Sequence, residues 1–162
     1  MARTFTALPD VLQFMQLMWA VAHGLETTSR RMATAIGVTG PQRLVLRVVG
    51  LFPGLSAGDL AAVLHVHPST LTGILQRLAT LRLLHRAADP ADRRRAILRL
   101  TPRGARINGL TTGTIEAAVV RTLGAVNARD RAATRRVLQR LAACLDAGAG
   151  HGTTRARRSG PR

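Results

Sequence analysis

The 162-residue chain has no lysine, no tyrosine, a single cysteine, and so few aromatic residues that they make up 2% of it. Each shortage excludes something. Without aromatic platforms, bases cannot be stacked on the protein in the way single strands and RNA loops are usually held, which favours duplex DNA among nucleic acids. The single cysteine, Cys144, cannot form an internal disulfide, which agrees with a reducing compartment. No run of ~20 apolar residues is present to span a bilayer, and the N-terminus has no charged region leading into an apolar stretch and a small-residue cleavage site. The expected location is the cytoplasm, with no membrane partner. Also missing are a Gly-rich phosphate loop, a zinc-protease signature and any Ser/His/Asp set supported by spacing, so no enzyme, no catalytic residue and no cofactor is expected.

Acid is the scarcest charge: 8 Asp and Glu stand against 24 basic residues, all arginine, for a net charge of +16. Such a surface seeks a polyanion, and the guanidinium fork suits phosphate oxygens and guanine edges. The length fits one domain, and no internal repeat is visible.

Hydrophobic periodicity predicts a mainly α fold with a small β-hairpin. Val11, Leu12, Met15, Met18, Trp19, Ala22 and Leu25 recur at helical spacing in a long first helix from Pro9 to about Ile36. Pro41 opens a second helix marked by Leu44, Val45, Val48, Val49 and Phe52 and ended by Pro53-Gly54. Ser56 and Asp59 read as a capping box for a short third helix, which carries Leu60, Val63 and Leu64. His67-Pro68 begins a fourth, with Leu71, Ile74, Leu75, Leu78 and Leu81 on its buried side. Residues 83–87 and 96–100 alternate like strands around a long basic tip. Thr101-Pro102 then starts a fifth helix through Leu123, weakened by Gly104, Gly109 and Gly113, and Asn127 and Asp130 cap a sixth with Val137, Leu138, Leu141 and Leu145 as its stripe. Six helices are expected in all, with residues 147–162 a disordered basic tail.

Two short helices joined by a tight turn and followed by a basic hairpin make a winged helix-turn-helix, whose second helix enters the major groove. With its leucines inward, the fourth helix turns Ser69, Thr70, Thr72, Gly73, Gln76 and Arg77 outward, where hydroxyl, amide and guanidinium groups can reach phosphates or base edges. No acidic residue interrupts this region between Asp59 and Asp89. From Arg82 to Arg106 eight arginines face only Asp89 and Asp92. Arg93, Arg94 and Arg95 are the expected wing contacts, able to enter a narrow minor groove, and Asp92 is expected to hold Arg94 by a charge-assisted hydrogen bond.

Leu55-Ser-Ala-Gly-Asp-Leu60, His67-Pro-Ser-Thr-Leu-Thr72 with Gln76-Arg77-Leu78, and above all Asp89-Pro-Ala-Asp-Arg-Arg-Arg95 followed by Leu98-Arg-Leu-Thr-Pro-Arg-Gly104, resemble the MarR-type regulators of bacteria. The resemblance covers residues 10–146. It implies a single domain over residues 1–146, with the winged helix at about 41–100 and dimerisation helices at about 9–37 and 102–146. It also implies a homodimer whose first, fifth and sixth helices interlock and which reads a pseudo-palindrome, as a symmetric dimer must. The family's DNA contacts fall here on Ser69, Thr70, Thr72 and Arg77, with Arg94 at the wing tip and Asp92 steadying it. Family members usually repress neighbouring genes and leave DNA when a small, often phenolic or otherwise aromatic, molecule binds. The effector-binding residues are not identified by the resemblance, beyond a cleft beneath the fifth helix.

Other readings of single residues carry less. The reactive first-helix cysteine of the family's peroxide sensors has no counterpart, and Cys144 is expected to be a small core or interface residue, with an interchain disulfide as the alternative. His23, His65, His67 and His85 lack the clustered acidic or thiol partners a metal site needs, so no metal is expected. Trp19 is expected in an interface core before a ligand cleft. The alternative to a sequence-specific regulator is an effector-independent, low-specificity DNA-binding protein in which the basic surface does most of the binding.

Overall fold

The computed structural model describes residues 8–89 and 96–151. Compact unit one runs through Ala117 and unit two begins at Ala118.

Helix α1 (Asp10–Ile36) starts after Pro9 with an acid in its first turn and ends where Gly37 turns left-handed, its N–H closing on the Ala33 carbonyl at 3.1 Å. Helix α2 (Gly40–Leu51) begins one residue earlier than Pro41, because Thr39 and Gln42 cap it reciprocally. Helix α3 (Ala57–Leu64) has the expected Ser56–Asp59 box, with bonds of 3.0 and 3.1 Å. Helix α4 (Pro68–Thr80) opens on Pro68 as expected, with His67 as its cap. Strands β1 (Leu84–Ala88) and β2 (Ala96–Leu100) pair antiparallel, Leu84 opposite Leu100 and Ala88 opposite Ala96. Leu98 also donates its N–H to the Leu55 carbonyl at 2.8 Å, tying the hairpin to the segment before α3.

The core gathers one side of each of these elements: Val45, Leu46 and Val49 from α2, Leu60 from α3, Leu71, Leu75 and Leu78 from α4, and Leu83, Leu84 and Leu98 from the hairpin. Because three successive leucines of α4 are committed to it, the rotation of α4 about its axis is fixed, and with it the face that meets solvent. Leu44, Phe52 and Val63, expected among the apolar markers, are exposed instead. Their helices bury a narrower stripe than the sequence pattern offered.

The expected fifth helix is two. Helix α5 (Pro102–Gly109) stops where Leu110 becomes extended, and α6 (Ile115–Gly124) restarts after Gly113, at φ +71°, and Thr114. The Thr114 hydroxyl accepts from the Ala117 N–H at 3.2 Å and donates to the Thr111 carbonyl at 3.0 Å, which makes it a new N-cap. The described residues therefore hold seven helices and not six. The last, α7 (Ala128–His151), is capped by Asn127 as expected but continues past residue 146 into the stretch expected to be disordered. Ala147 and Ala149 there are strong helix formers. Residues 152–162 lie outside the described residues.

No helix among the described residues is long and apolar enough to cross a membrane.

Candidate nucleic-acid interface

The turn between α3 and α4 is built from a left-handed His65, φ 51°, and the Val66 N–H bonded to the Ala61 carbonyl at 3.2 Å. It delivers His67 to the first turn of α4. The His67 Nδ1 accepts the Ser69 N–H at 3.3 Å and lies 2.7 Å from the Ser69 hydroxyl, so the imidazole satisfies an N–H that the helix itself cannot.

Leu71, Leu75 and Leu78 are buried, whereas Ser69, Thr70, Thr72, Gly73, Gln76 and Arg77 are all exposed, as the sequence pattern predicts. Thr72 donates its hydroxyl proton to the Pro68 carbonyl at 2.8 Å, which leaves its oxygen lone pairs facing outward. A Cβ on Gly73 would meet nothing within 4 Å. The fold does not need a glycine there. Arg77 stands in the last turn of α4, where a cation also complements the helix dipole. No carboxylate lies on this helix. The hairpin alongside exposes His85, Arg86 and Arg99. Arg93, Arg94, Arg95 and their expected support Asp92 fall outside the described residues.

Sequence reasoning missed the most buried charged group of the described residues. Arg43, on the inner side of α2 and only 2% exposed, gives its Nε to both oxygens of Glu116 at 2.8 and 2.9 Å and its Nη1 to the Ile107 carbonyl at 2.8 Å, while Nη2 donates to the Leu110 carbonyl. One turn on, Arg47 reaches the Asn108 carbonyl at 3.2 Å. Two guanidinium groups of α2 thus bind carbonyls at and just past the end of α5 and the carboxylate in the first turn of α6, which Arg47 also approaches at 3.6 Å. Nothing in the spacing around Arg43 marks it as buried.

Beside this clamp, an apolar cavity of about 540 Å³ is lined by Leu25 of α1, Pro41 and Leu44 of α2, Val66, and Ile115 and Glu116 of α6. Exposed Leu44 is thereby explained: it walls a cavity. Cys144 is exposed on α7, so its expected place in a core within the chain is not found. Trp19 is 79% exposed on α1.

Comparison with known proteins agrees with this geometry. The sequence profile of the MarR family matches residues 36–95. A putative transcriptional regulatory protein for the hcr operon of Thauera aromatica is 36% identical over 76 residues, 47% of this chain and 46% of that one. The chain thus spans about half the length of that relative. An HTH-type transcriptional repressor of Mycobacterium tuberculosis is 28% identical over 106 residues, 65% of this chain and 76% of the repressor. Among solved structures, the PcaV transcriptional regulator of Streptomyces coelicolor in complex with its natural ligand superposes with a TM-score of 0.67, at 24% identity over 87% of this chain and 99% of that one. All three are named for transcription regulation. The helix pair, the hairpin and the profile match fall on the same residues, so residues 36–95 are similar to the DNA-binding portion of the MarR family, and the fold is that of winged helix-turn-helix regulators.

Proposed function

We propose that the protein is a sequence-specific, DNA-binding transcription repressor that binds a pseudo-palindromic operator as a homodimer and leaves it when a small aromatic molecule binds. The observation that carries the reading is the outer face of α4, where hydroxyl, amide and guanidinium groups are exposed together and no acid intrudes, beside an arginine-bearing hairpin. Helix N-terminal residues Ser69, Thr70 and Thr72 meet the DNA, Arg77 discriminates base pairs, and Arg93, Arg94 and Arg95 take the minor groove with Asp92 holding Arg94. The M. tuberculosis relative, named a repressor, supports the direction of control.

The effector occupies the apolar cavity beside the Arg43–Glu116 clamp, where α1, α2 and the start of α6 meet. The Streptomyces regulator of similar fold, solved with its natural ligand, supports the binding of an effector as such. Release requires that the molecule bind the DNA-incompetent form more tightly than the competent one, since equal affinity for both shifts nothing.

Binding selection from fragments of the source genome, with purified protein at near-physiological salt, tests the reading. An inverted repeat enriched by ~10³-fold or more over random duplex is expected of a specific regulator. Featureless enrichment would defeat it in favour of a low-specificity DNA-binding protein.

A further inference from the structure

Strand β1 sends alternate side chains to opposite faces, and on the face turned toward the helices Leu84 and Leu98 are buried. Arg86 is paired with Leu98 and shares that face, yet it is exposed. With α4 it encloses a furrow of about 270 Å³, lined by Thr72, Leu75, Gln76, Ala79, Leu84 and Arg86. Thr72, Gln76 and Ala79 succeed one another at the spacing of a single helix edge, so α4 forms one wall and β1 the other. Leucines make the floor. The polar groups are the Thr72 oxygen, the Gln76 amide and the Arg86 guanidinium, which offers five donors, and no carboxylate lines the furrow.

Duplex DNA sets a geometric condition on anything that enters two neighbouring grooves. A major and an adjacent minor groove are divided by one sugar–phosphate strand. With α4 in the major groove and the hairpin in the next minor groove, the dividing strand has to pass between α4 and β1. We propose that the α4–β1 furrow seats this strand and that Arg86 is a phosphate-binding residue, with Gln76 turned to the same strand and not to a base edge. This rests on the DNA-binding reading above. Arg99 supplies an internal control: it is exposed on the same hairpin but pairs with His85, on the opposite face, and does not line the furrow.

The experiment is fluorescence anisotropy of the full chain on a labelled mixed-sequence duplex, titrated from about 50 to 200 mM KCl. Each neutralised phosphate contributes ~0.9 to the slope of log affinity against log salt. Arg86→Ala is expected to flatten the slope by about 0.9 and Arg86→Lys to restore it, because an ammonium neutralises a phosphate too. Arg99→Ala is expected to leave it unchanged. Gln76→Ala is expected to weaken binding by the same factor on every duplex tried. An unaltered slope in Arg86→Ala, or an equal flattening in Arg99→Ala, would overturn the assignment while leaving DNA binding intact, and a base-specific loss in Gln76→Ala would return that residue to base reading. Wild-type protein that fails to bind even at the lowest salt would sink the DNA-binding reading and this one with it. Melting temperatures of the exposed-site variants should match the wild type, so that slopes are compared between folded proteins.

Discussion

Three positions separate what the fold requires from what binding requires. Gly104 is packed against the Leu83 backbone so closely that an added Cβ would collide with the Leu83 carbonyl, and carbonyls in a turn have little room to yield. Gly104→Ala is expected to cost about 3 kcal/mol, the upper end of ordinary overpacking, read from urea denaturation. Gly73 is the contrary case, with open space where its Cβ would stand on the exposed side of α4. Gly73→Ala should stabilise the helix by roughly 0.5–1 kcal/mol. If DNA approaches that face closely, the same variant binds its operator more weakly while melting higher. A variant that melts higher and binds as before would mean that the α4 backbone stands off from the bases. Arg82 closes α4 in a left-handed conformation at φ 55°, which an L side chain adopts at a cost. Its N–H is bonded to the Ala79 carbonyl and its own carbonyl accepts the Thr101 hydroxyl at 2.7 Å, so the backbone is fixed. Arg82→Gly is therefore expected to raise the urea midpoint, by an equivalent of about 0.5–1 kcal/mol.

At the scale of elements, what the sequence disclosed is what local chemistry decides. The Ser56–Asp59 box spans three residues, His67-Pro68 is adjacent to the helix it starts, and the hairpin follows from period-two alternation within a few residues. The exposed face of α4 was legible for the same reason, since its leucines alone set the rotation. The break between α5 and α6 was not. Glycines gave a hint of weakness, but the segment that leaves helix at Leu110 is held by an arginine on another element, and Arg43 and Glu116 are 73 residues apart. The wider apolar stripes of α1 and α2 were likewise legible as helical, but not as to which residues the chain covers by itself. The clamp also predicts how the elements come apart. Arg43→Ala takes a donor from the Ile107 and Leu110 carbonyls and the nearer partner from Glu116, which keeps Arg47 at 3.6 Å and is itself 35% exposed, so the expected loss is ~1–3 kcal/mol. Chemical denaturation measures the total, and hydrogen exchange should show early opening of α5. A loss below about 1 kcal/mol, typical of a surface ion pair, would mean that the clamp is solvated.

The whole molecule poses a problem that the single chain does not solve. Val11, Leu12, Phe14, Met15, Leu17, Met18, Trp19 and Val21 of α1 are all exposed, on more than one side of the helix, and in α7 so are Val137, Leu138 and Leu145. Apolar surface of this kind on α1 marks an association site, and a second copy is the occupant that the proposed symmetric operator demands. Trp19 decides the matter because it belongs to this surface and not to the winged-helix core, so its replacement tests assembly without emptying that core. Sedimentation equilibrium should find the wild type a dimer and Trp19→Asp shifted toward monomer at micromolar concentration, with the winged-helix portion still folded by circular dichroism. Its DNA binding should then divide by geometry. On a duplex carrying one half-site the two proteins bind alike, whereas on the inverted repeat the wild type gains from engaging both halves at once and the variant loses that gain, ~10²-fold or more. Were the variant monomeric and equally tight on both duplexes, the two copies would not be acting together, and the apolar face of α1 would serve some other contact than the one that aligns two α4 helices on DNA.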